Sequence, residues 1–507
     1  YPQGEPKHLW PGLEAFERAL RQGESGIRVV PGLAELKFGC QVGGVPQGVD
    51  QLQGDYLSDE ELYAMNPNMV YAAIAAIDAW TDAGLPRIAP DAEPDWSTGA
   101  VIGTGIGGID TIAEKLAPKT DAGKVARLGS TMVEQIMSSG NSARVAGLLG
   151  LGNQVTTNSS ACNTGTEAIV EAFHRIREGR AERMLAGGSE GHSKYIWAGF
   201  DAMKVLKRGK NDAPAQASRP LSASAAGFIP GSGSGVLMLE SLDSARARGA
   251  RIWAEVLGGF VNCGGHRQGG SMTAPNPTSV QRCIRGAVAM AGILPRDIGL
   301  INGHLTATFA DPHEVENWRA ALELSAEQLP LIQSTKSLIG HALGAAGGIE
   351  CVASVLQVAR GFAHGSLNCE DLHPEVARFA SSVVHQTREV PELSVIAKAS
   401  FGFGDVNGCV IFKKFSACSE PRRTSMSEQE VFEKVVAIIK PFAKAPEALA
   451  TASMETSILK DLKVNSARLV DVVLEIEDAF EIEVKDEDAD KVKTIGDAVK
   501  LILAGQA

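Results

Sequence analysis

The chain has 507 residues and a formal net charge of −12, with 44% hydrophobic and 21% charged residues. It is too long for one hydrophobic core, so two to four domains are expected. The negative charge argues against nucleic acid or an anionic membrane as the main partner, and no apolar run approaches the roughly 20 residues that span a bilayer. Eight scattered cysteines without CxxC pairs predict a reducing cytoplasm and no metal site.

Short apolar strands alternate with helices over the first 245 residues, which is typical of an α/β protein. Helices are predicted within residues 11–30 and 66–82. The stretch 99–108 predicts a buried strand followed by a glycine-rich loop. Because no acidic residue follows at the spacing of a dinucleotide-binding unit, we interpret this loop as the wall of a pocket.

Cys162 lies between a short predicted strand, 153–157, and a helix that begins just after the cysteine. Unpaired backbone N–H groups and the positive end of the helix dipole at such a junction lower the pKa of a thiol and favour the nucleophilic thiolate. The alternative is a small buried cysteine that only fills space. The motifs in the second half of the chain favour the nucleophile.

Three further stretches carry residues that could take part in catalysis. His304 follows a predicted strand, Lys336 and His341 are five residues apart, and Phe403 lies in a Phe-Gly-Phe-Gly loop whose N–H groups could face a ligand. An isolated histidine more often has only a structural role. A cysteine, a histidine, a Lys–His pair and a glycine loop in this order form a much more specific pattern.

A glycine-rich loop followed by a five-residue strand occurs twice, at residues 230–240 and 401–413. Such an internal repeat predicts two similar halves, about 1–245 and 250–414.

These motifs resemble those of the β-ketoacyl-[acyl carrier protein] synthases, the condensing enzymes of the thiolase superfamily, and the type I enzymes more than the type II. The matching segments are Ser159–Cys162, Gly199–Met203, Ala217–Pro220, His304–Thr308, Ser334–His341, Gly344–Gly347 and Gly402–Gly404. The resemblance implies that residues 1–414 form an α/β, duplicated five-layered αβαβα fold and a homodimer. It also implies an acyltransferase that condenses an acyl thioester with malonyl-carrier protein.

The resemblance assigns the acyl-transfer step to Cys162, which would take the acyl chain from a carrier thioester. The backbone N–H groups of Cys162 and Phe403 would form the oxyanion hole. Phe403 also matches the gating phenylalanine of the family.

For the condensation step, the resemblance implies that His304 and His341 hold the malonyl thioester carbonyl and stabilise the enolate formed as CO2 leaves. Lys336 would orient this pair and keep the site electropositive. Glu350 matches a buried structural acid near the site.

Several positions depart from the family pattern. Leu305 replaces the glycine that usually follows the first catalytic histidine. Residues 404–407 read Gly-Asp-Val-Asn where the family commonly has Gly-Gly-Thr-Asn, so Asp405 replaces a glycine. The proline and its neighbouring acid are displaced to Asp311-Pro312, and Ser222–Ala226 replaces a charged run. We also expect the first strand of the fold to lie before Tyr1. Together these departures indicate a specialised branch.

After residue 414 the composition changes. Residues 415–427 are polar and predict a linker. Residues 428–507 are acidic and helical, and they resemble an acyl carrier protein, a small all-α four-helix domain.

Ser466 matches the serine that receives 4′-phosphopantetheine, at the start of a predicted helix where a phosphate is favoured. The surrounding sequence, 463–467, departs from the usual Gly-x-Asp-Ser-Leu. Acidic residues follow on the same helix, as on carrier proteins that dock to basic enzyme surfaces: Asp471, Glu475, Glu477 and Asp478. The alternative is an acidic helical interaction domain that is never modified.

The sequence thus predicts a cytoplasmic 3-oxoacyl-[acyl carrier protein] synthase with a tethered carrier, in fatty acid or specialised lipid or polyketide biosynthesis. Expected partners are acyl-ACP, malonyl-ACP, a carrier domain of the same or a partner subunit, and a phosphopantetheinyl transferase. One alternative is a non-condensing partner like the chain-length factors, which lack the cysteine. Another is an acyltransferase that uses Cys162 without decarboxylation.

Overall fold

A computed structural model describes part of the chain. The described residues are 12–416, 428–480, 484 and 492–505. The chain divides into two compact units, with the boundary between Phe415 and Ser416. Nearly all of the predicted linker lies outside the described residues. No helix in the described ranges is long and apolar enough to cross a membrane.

The described part of the first half of the larger unit begins with a helix and contains a two-stranded and a four-stranded sheet. Its helices are α1 Gly12–Gln22, α2 Val49–Tyr56, α3 Asp59–Tyr63, α4 Pro67–Asp82, α5 Ile109–Thr111, α6 Ala117–Asp121, α7 Met132–Ile136, α8 Gly140–Leu149, α9 Thr164–Arg177, α10 Lys194–Ala202 and α11 Leu242–Ala247. Its strands are β1 Arg28–Val29, β2 Val42–Gly43, β3 Thr98–Gly103, β4 Val155–Thr156, β5 Arg183–Glu190 and β6 Gly233–Glu240. The two predicted helices are confirmed as α1 and α4, and the side chain of Asn66 caps α4.

The second half contains fewer helices and a longer sheet. Its strands are β7 Ala254–Cys263, β8 Leu300–Asn302, β9 Leu331–Gln333, β10 Phe362–Ala363, β11 Arg388–Glu389, β12 Val395–Gly402 and β13 Val406–Lys414. Its helices are α12 Pro277–Ala291, α13 Asp311–Leu322, α14 Lys336–Ile339 and α15 Ala346–Arg360.

The two main sheets have the same topology. In the first half, β3 lies between the parallel strands β4 and β5, and β6 pairs antiparallel with β5. In the second half, β8 lies between the parallel strands β9 and β12, and β13 pairs antiparallel with β12. The two strands of the predicted repeat, β6 and β13, therefore occupy equivalent positions, and β7 extends the second sheet beyond β13.

The helices complete five layers. α4 and α8 cover the outer face of the first sheet, α9 and α15 lie between the sheets, and α12 covers the outer face of the second sheet. Separate apolar clusters fill the spaces between these layers. The αβαβα order predicted for this unit is the order observed.

A short 3₁₀ turn precedes each of the two central helices. Ala161–Asn163 leads into α9, and Leu343–Ala345 leads into α15. Both turns begin with a non-glycine residue in the left-handed region, since φ is +51° at Ala161 and +50° at Leu343. The two halves therefore bring the same kind of turn to the centre of the molecule, at the amino ends of the buried helices.

Glycines allow α9 and α15 to touch near these turns. A Cβ placed on Gly165 would overlap the backbone N of Gly348 and press against the carbonyl carbon of Gly347. Gly165 lies three residues after Cys162. The position of the thiol therefore depends on a backbone-to-backbone crossing that leaves no room for a side chain.

The described part of the smaller unit is mostly helical, with one isolated antiparallel bridge between Ser457 and Thr494. It contains α16 Glu428–Ile439, a 3₁₀ helix Pro446–Thr451, α17 Ser466–Phe480 and α18 Ile495–Gly505. Apolar residues from all three α-helices form one core, including Val435, Val472 and Val499. Most of residues 481–491 lies outside the described residues, so the four-helix arrangement stays a prediction.

We expect Gly165→Ala to destabilise the larger unit by about 1–3 kcal/mol, because the added methyl group forces the two central helices apart. Gly147→Ala is the matched control. Gly147 lies in α8, and apart from its own helix backbone a methyl group added there would meet no atom of the described chain within 4 Å, so its replacement should be neutral or stabilising by up to about 1 kcal/mol. Denaturant unfolding of both variants checks this, and equal midpoints would contradict the close crossing.

Candidate active site

Cys162 lies in the 3₁₀ turn before α9, where the residue as a whole is partly exposed but its sulfur is enclosed. The turn is held by Thr164, whose hydroxyl accepts from the N–H of Ser160 at 2.9 Å and donates to the carbonyl of Ala161 at 2.7 Å. The backbone N–H of Phe403 acts on the thiol in the direction that lowers its pKa, and Gly402 beside it packs against the backbone of Ser160 and Asn163. The cysteine is therefore at the predicted strand–helix junction, next to the predicted glycine loop.

The predicted lowering of the Cys162 pKa is wrong. Burial raises the pKa of the thiol to about 11, while the positive charge of Lys336 and the hydrogen bond from Phe403 act in the lowering direction. The loss of water around a thiolate outweighs the favourable contacts. The sequence indicated the position of the thiol at a helix end but not the depth of its burial.

His304 and His341 meet the thiol from the second half of the unit. Their rings are nearly perpendicular, with centroids 5.4 Å apart, and the Cys162 sulfur and one nitrogen from each ring all lie within 4.8 Å of one another. Three such atoms could also hold a metal ion. The positive charge of Lys336 acts on all three groups and would repel a metal cation, so we interpret the cluster as a reactive thiol with two histidines.

The protonation of His341 follows from its hydrogen bond. Its Nδ1 accepts from the backbone N–H of Leu343 at 3.1 Å, so in the neutral ring the proton is on Nε2. Burial and the charges of Lys336 and Lys398 hold the pKa of His341 well below its usual range. The ring is therefore a neutral hydrogen-bond donor.

His304 is also kept neutral. Burial, followed by the charge of Lys336 and the neighbouring His341, lowers its pKa well below the usual value. Its Nδ1 is buried and has no hydrogen-bond partner among the residues that the structure describes. Because a buried polar atom without a partner is destabilising, this nitrogen indicates a site built to bind a polar group.

Two buried carboxylates hold the loop that carries His304. Glu314 on α13 accepts from the backbone N–H groups of His304 at 2.6 Å and Leu305 at 2.7 Å. Asp311 accepts from those of Thr306 at 2.9 Å and Ala307 at 3.1 Å. Burial raises the pKa of Glu314 to about 7 and that of Asp311 to about 6.

The structure accommodates Leu305 at the position where the family usually has glycine. Its φ of +26° is in the region that favours glycine, and its side chain is buried in the apolar cluster around α12 and α13. The leucine therefore turns away into the core instead of filling the space above the thiol. Its backbone strain is balanced by the hydrogen bond to Glu314.

Lys336 lies beside the histidines at the start of α14 and is fully buried. Its ammonium group forms an ion pair with Glu350 on α15. A second buried lysine, Lys398 on β12, contacts the other carboxylate oxygen of Glu350 at 2.9 Å. Sequence reasoning missed Lys398, although a lysine in the apolar run Val395–Ser400 could have revealed it.

Glu190 binds the glycine-rich loop that follows β3. This carboxylate lies at the end of β5, and it accepts from the N–H groups of Gly105 at 2.9 Å, Ile106 at 3.2 Å and Gly344 at 3.0 Å. Burial raises its pKa to about 7. The loop is thus fastened to the turn before α15 by a carboxylate of the same chain, as suits the wall of a site.

Phe403 is half-buried and its ring lies 6.4 Å from that of Phe200. The structure brings the predicted site residues together. The Cys162 sulfur lies with His304 and His341, and Lys336, paired with Glu350, acts electrostatically on all three. Ser466 belongs to the other unit. It is the first residue of α17, and its side chain lies outside the described residues.

Comparison with known proteins agrees with this geometry. Residues 2–245 match the family model of the beta-ketoacyl synthase N-terminal domain, and residues 253–370 match that of the C-terminal domain. The chain is 34% identical over 406 residues to the chloroplastic 3-oxoacyl-[acyl-carrier-protein] synthase I of Arabidopsis thaliana, which covers 80% of this chain and 83% of the relative. It is also 34% identical over 410 residues to 3-oxoacyl-[acyl-carrier-protein] synthase 2 of Vibrio cholerae, covering 79% of this chain and 95% of the relative.

Solved structures show the same likeness. A beta-ketoacyl synthase from Burkholderia phymatum superposes with a TM-score of 0.72 at 26% identity, over 80% of this chain and 95% of that one. The ishigamide ketosynthase/chain length factor superposes with a TM-score of 0.71 at 28% identity, over the same shares. With its thiol, two neutral histidines and buried lysine at the centre of this fold, the chain belongs to the β-ketoacyl synthase family of condensing acyltransferases.

Proposed function

We propose that the larger unit condenses an acyl thioester with malonyl-carrier protein to give a 3-oxoacyl thioester two carbons longer. The observation that carries this proposal is the approach of one sulfur and two imidazole nitrogens to within 4.8 Å. The thiol can hold the acyl chain while the neutral histidines face the second substrate at the same point. Both half-reactions therefore share one centre.

In the first half-reaction, the sulfur of Cys162 attacks the acyl thioester. A new carbon–sulfur bond forms, the bond to the carrier sulfur breaks, and the thiol proton ends on the released carrier thiol. The N–H groups of Cys162 and Phe403 are the proposed donors to the thioester oxygen as it gains negative charge. A covalent intermediate separates acyl transfer from carbon–carbon bond formation.

In the second half-reaction, His341 donates from Nε2 to the thioester carbonyl of the malonyl group, and His304 supplies the neighbouring contact. The bond to the carboxylate carbon breaks, CO2 leaves, and the electron pair forms an enolate stabilised by these donors. The enolate carbon attacks the acyl carbonyl on Cys162, and the thiolate leaves. Lys336 is a positioning residue whose charge favours the anionic enolate.

We further propose that the smaller unit is a carrier with 4′-phosphopantetheine on Ser466. Ser466 opens a helix of 15 residues, and such an amino end favours a phosphate. When attached, the group supplies the thiol that carries the chain as a thioester. Exposed Asp471 and Glu475 on α17 suit a basic enzyme surface, and a tether raises the local carrier concentration towards about millimolar.

The remaining proposals follow the relatives. One similar structure is described as a type II polyketide synthase acyl-carrier protein in complex with its ketosynthase, which supports acyl-ACP and malonyl-ACP as partners. The named relatives are 3-oxoacyl-[acyl-carrier-protein] synthases, which supports fatty acid or related lipid biosynthesis. A homodimer, a cytoplasmic location and a phosphopantetheinyl transferase as partner complete the proposal.

Intact mass after incubation with acyl-carrier and malonyl-carrier separates the half-reactions. We expect Cys162→Ala to show no acyl adduct. His341→Ala should keep the adduct but lose condensation by about 10²–10⁴-fold, because one donor to the enolate is gone. His313→Ala, an exposed histidine on α13, is the control and should behave as wild type.

Two results would contradict the condensing role. An adduct on Cys162 without release of CO2 would indicate the transferase, and no adduct at all would indicate a non-condensing partner like a chain-length factor. The intact thiol argues against that partner.

The pH dependence of thiol modification tests the Cys162 environment. With a pKa of about 11, the thiolate fraction should rise about tenfold per pH unit between pH 7 and 9, and the alkylation rate by iodoacetamide with it. The adduct is measured by peptide mass, with Cys162→Ala as the blank. A plateau already below pH 8 would show that Lys336 and Phe403 outweigh burial.

The carrier proposal has a separate test. Incubation with coenzyme A and a broad-specificity phosphopantetheinyl transferase should add one pantetheine group to wild type and to Ser453→Ala, and none to Ser466→Ala. Addition to neither wild type nor the control would leave the smaller unit as an unmodified interaction domain.

A further inference from the structure

Asp405 lies two residues after Phe403 and is not used by the proposed mechanism. Its side chain is completely buried, and its φ of +62° is in the left-handed region. Asparagine and aspartate tolerate this region better than most non-glycine residues. A buried carboxylate in a strained turn two residues from Phe403 requires strong partners.

The partners of Asp405 come from one exposed loop, residues 264–276, and from the helix that follows it. The carboxylate accepts from the backbone N–H of His266 at 3.1 Å and of Asn276 at 2.7 Å, and from the Ser279 hydroxyl at 3.5 Å. These bonds join the two ends of the loop to the turn that carries Phe403.

Backbone bonds strengthen the same connection. The N–H of Gly264 donates to the carbonyl of Asp405 at 2.9 Å, and the N–H of Gly404 donates to the carbonyl of Met272 at 2.8 Å. Met272 is 59% exposed. The 264–276 loop thus extends from solvent to the residue next to Phe403.

Gly264 leaves the space that the carboxylate fills. A Cβ on Gly264 would overlap the Asp405 carboxyl group, to which all three of its nearest atoms belong. The φ of Gly264 is outside the left-handed region, because it is not among the positive-φ glycines. The glycine is therefore required by the aspartate and not by its own backbone.

We propose that Asp405 is a positioning residue that holds the Phe403 N–H against the Cys162 thiol by fastening the Phe403 turn to the 264–276 loop. The inference deepens the proposed function of the Cys162 site and rests on it. Without the carboxylate, two backbone N–H groups lose their acceptor and the Phe403 turn is released. The thiol then loses a hydrogen bond that stabilises its anion.

The test is the pH profile of Cys162 alkylation by iodoacetamide in the full chain. Asp405→Gly should move the inflection to higher pH, so that the rate at pH 8 falls by about three- to tenfold. Asp405→Asn keeps one acceptor oxygen and should fall between wild type and Asp405→Gly. Asp243→Asn, an exposed aspartate on α11, is the matched control.

Gly264→Ala gives an independent variant, since its methyl group displaces the carboxylate. As a single variant, Gly264→Ala should slow the alkylation of Cys162. Added to Asp405→Gly, it should slow alkylation no further. Unchanged profiles in Asp405→Gly and Gly264→Ala, with melting curves that show folded protein, would overturn the proposal. So would additive effects in the double variant.

The two proposals fail separately. Alkylation reports only on the thiol, so a chain that does not condense malonyl-carrier can still show the Asp405 effect. Conversely, normal condensation by the Asp405→Gly variant, together with an unchanged alkylation profile, would leave the condensing role intact and exclude the proposed role of Asp405.

Discussion

The buried cluster of Lys336, Glu350 and Lys398 is the interaction on which the rest of the active site depends. It joins α14, α15 and β12 at one point below the histidines. Moving an ion out of water costs several kcal/mol even after relaxation, so the two lysines are tolerated only because one carboxylate lies between them. The excess positive charge helps to keep both histidines neutral and opposes the rise in the thiol pKa. The cluster therefore influences the protonation of every reactive group around it.

The loops around this cluster are fixed by carboxylates instead of regular secondary structure. Glu190, Glu314 and Asp405 each accept hydrogen bonds from backbone N–H groups of a loop outside their own strand, helix or turn. A carboxyl group has two oxygens and can accept several such bonds at once. Because burial raises the pKa of Glu190 and Glu314 to about 7, the negative charge that strengthens these bonds is lost as the pH falls below 7. An irregular loop can in this way be held as firmly as a strand while its side chains remain available to a substrate.

The sequence predicted much of this arrangement. Alternation of strands and helices indicated an α/β protein, and the repeated glycine loop suggested two halves. The family resemblance implied the five-layered duplicated fold and which residues would meet Cys162. What it could not indicate depends on contacts between distant segments. Glu314 and Glu190 accept hydrogen bonds from backbone N–H groups, and such contacts leave no recognisable motif in the sequence. Lys398 lies in an apolar strand, and its role becomes clear only from its contact with Glu350. The pKa of Cys162 departs from the sequence expectation for the same reason. A helix end is determined by neighbouring residues, whereas burial depends on residues that are distant in the sequence.

The matching 3₁₀ turns before α9 and α15 give the two halves different tasks at equivalent places. Ala161 and Leu343 open these turns with almost the same φ, so the residues that follow them, Cys162 and Gly344, occupy equivalent places in the two halves. One place carries the nucleophile, and the other holds a glycine that gives its N–H to Glu190. The same backbone turn therefore presents a reactive side chain in one half and fastens a neighbouring loop in the other.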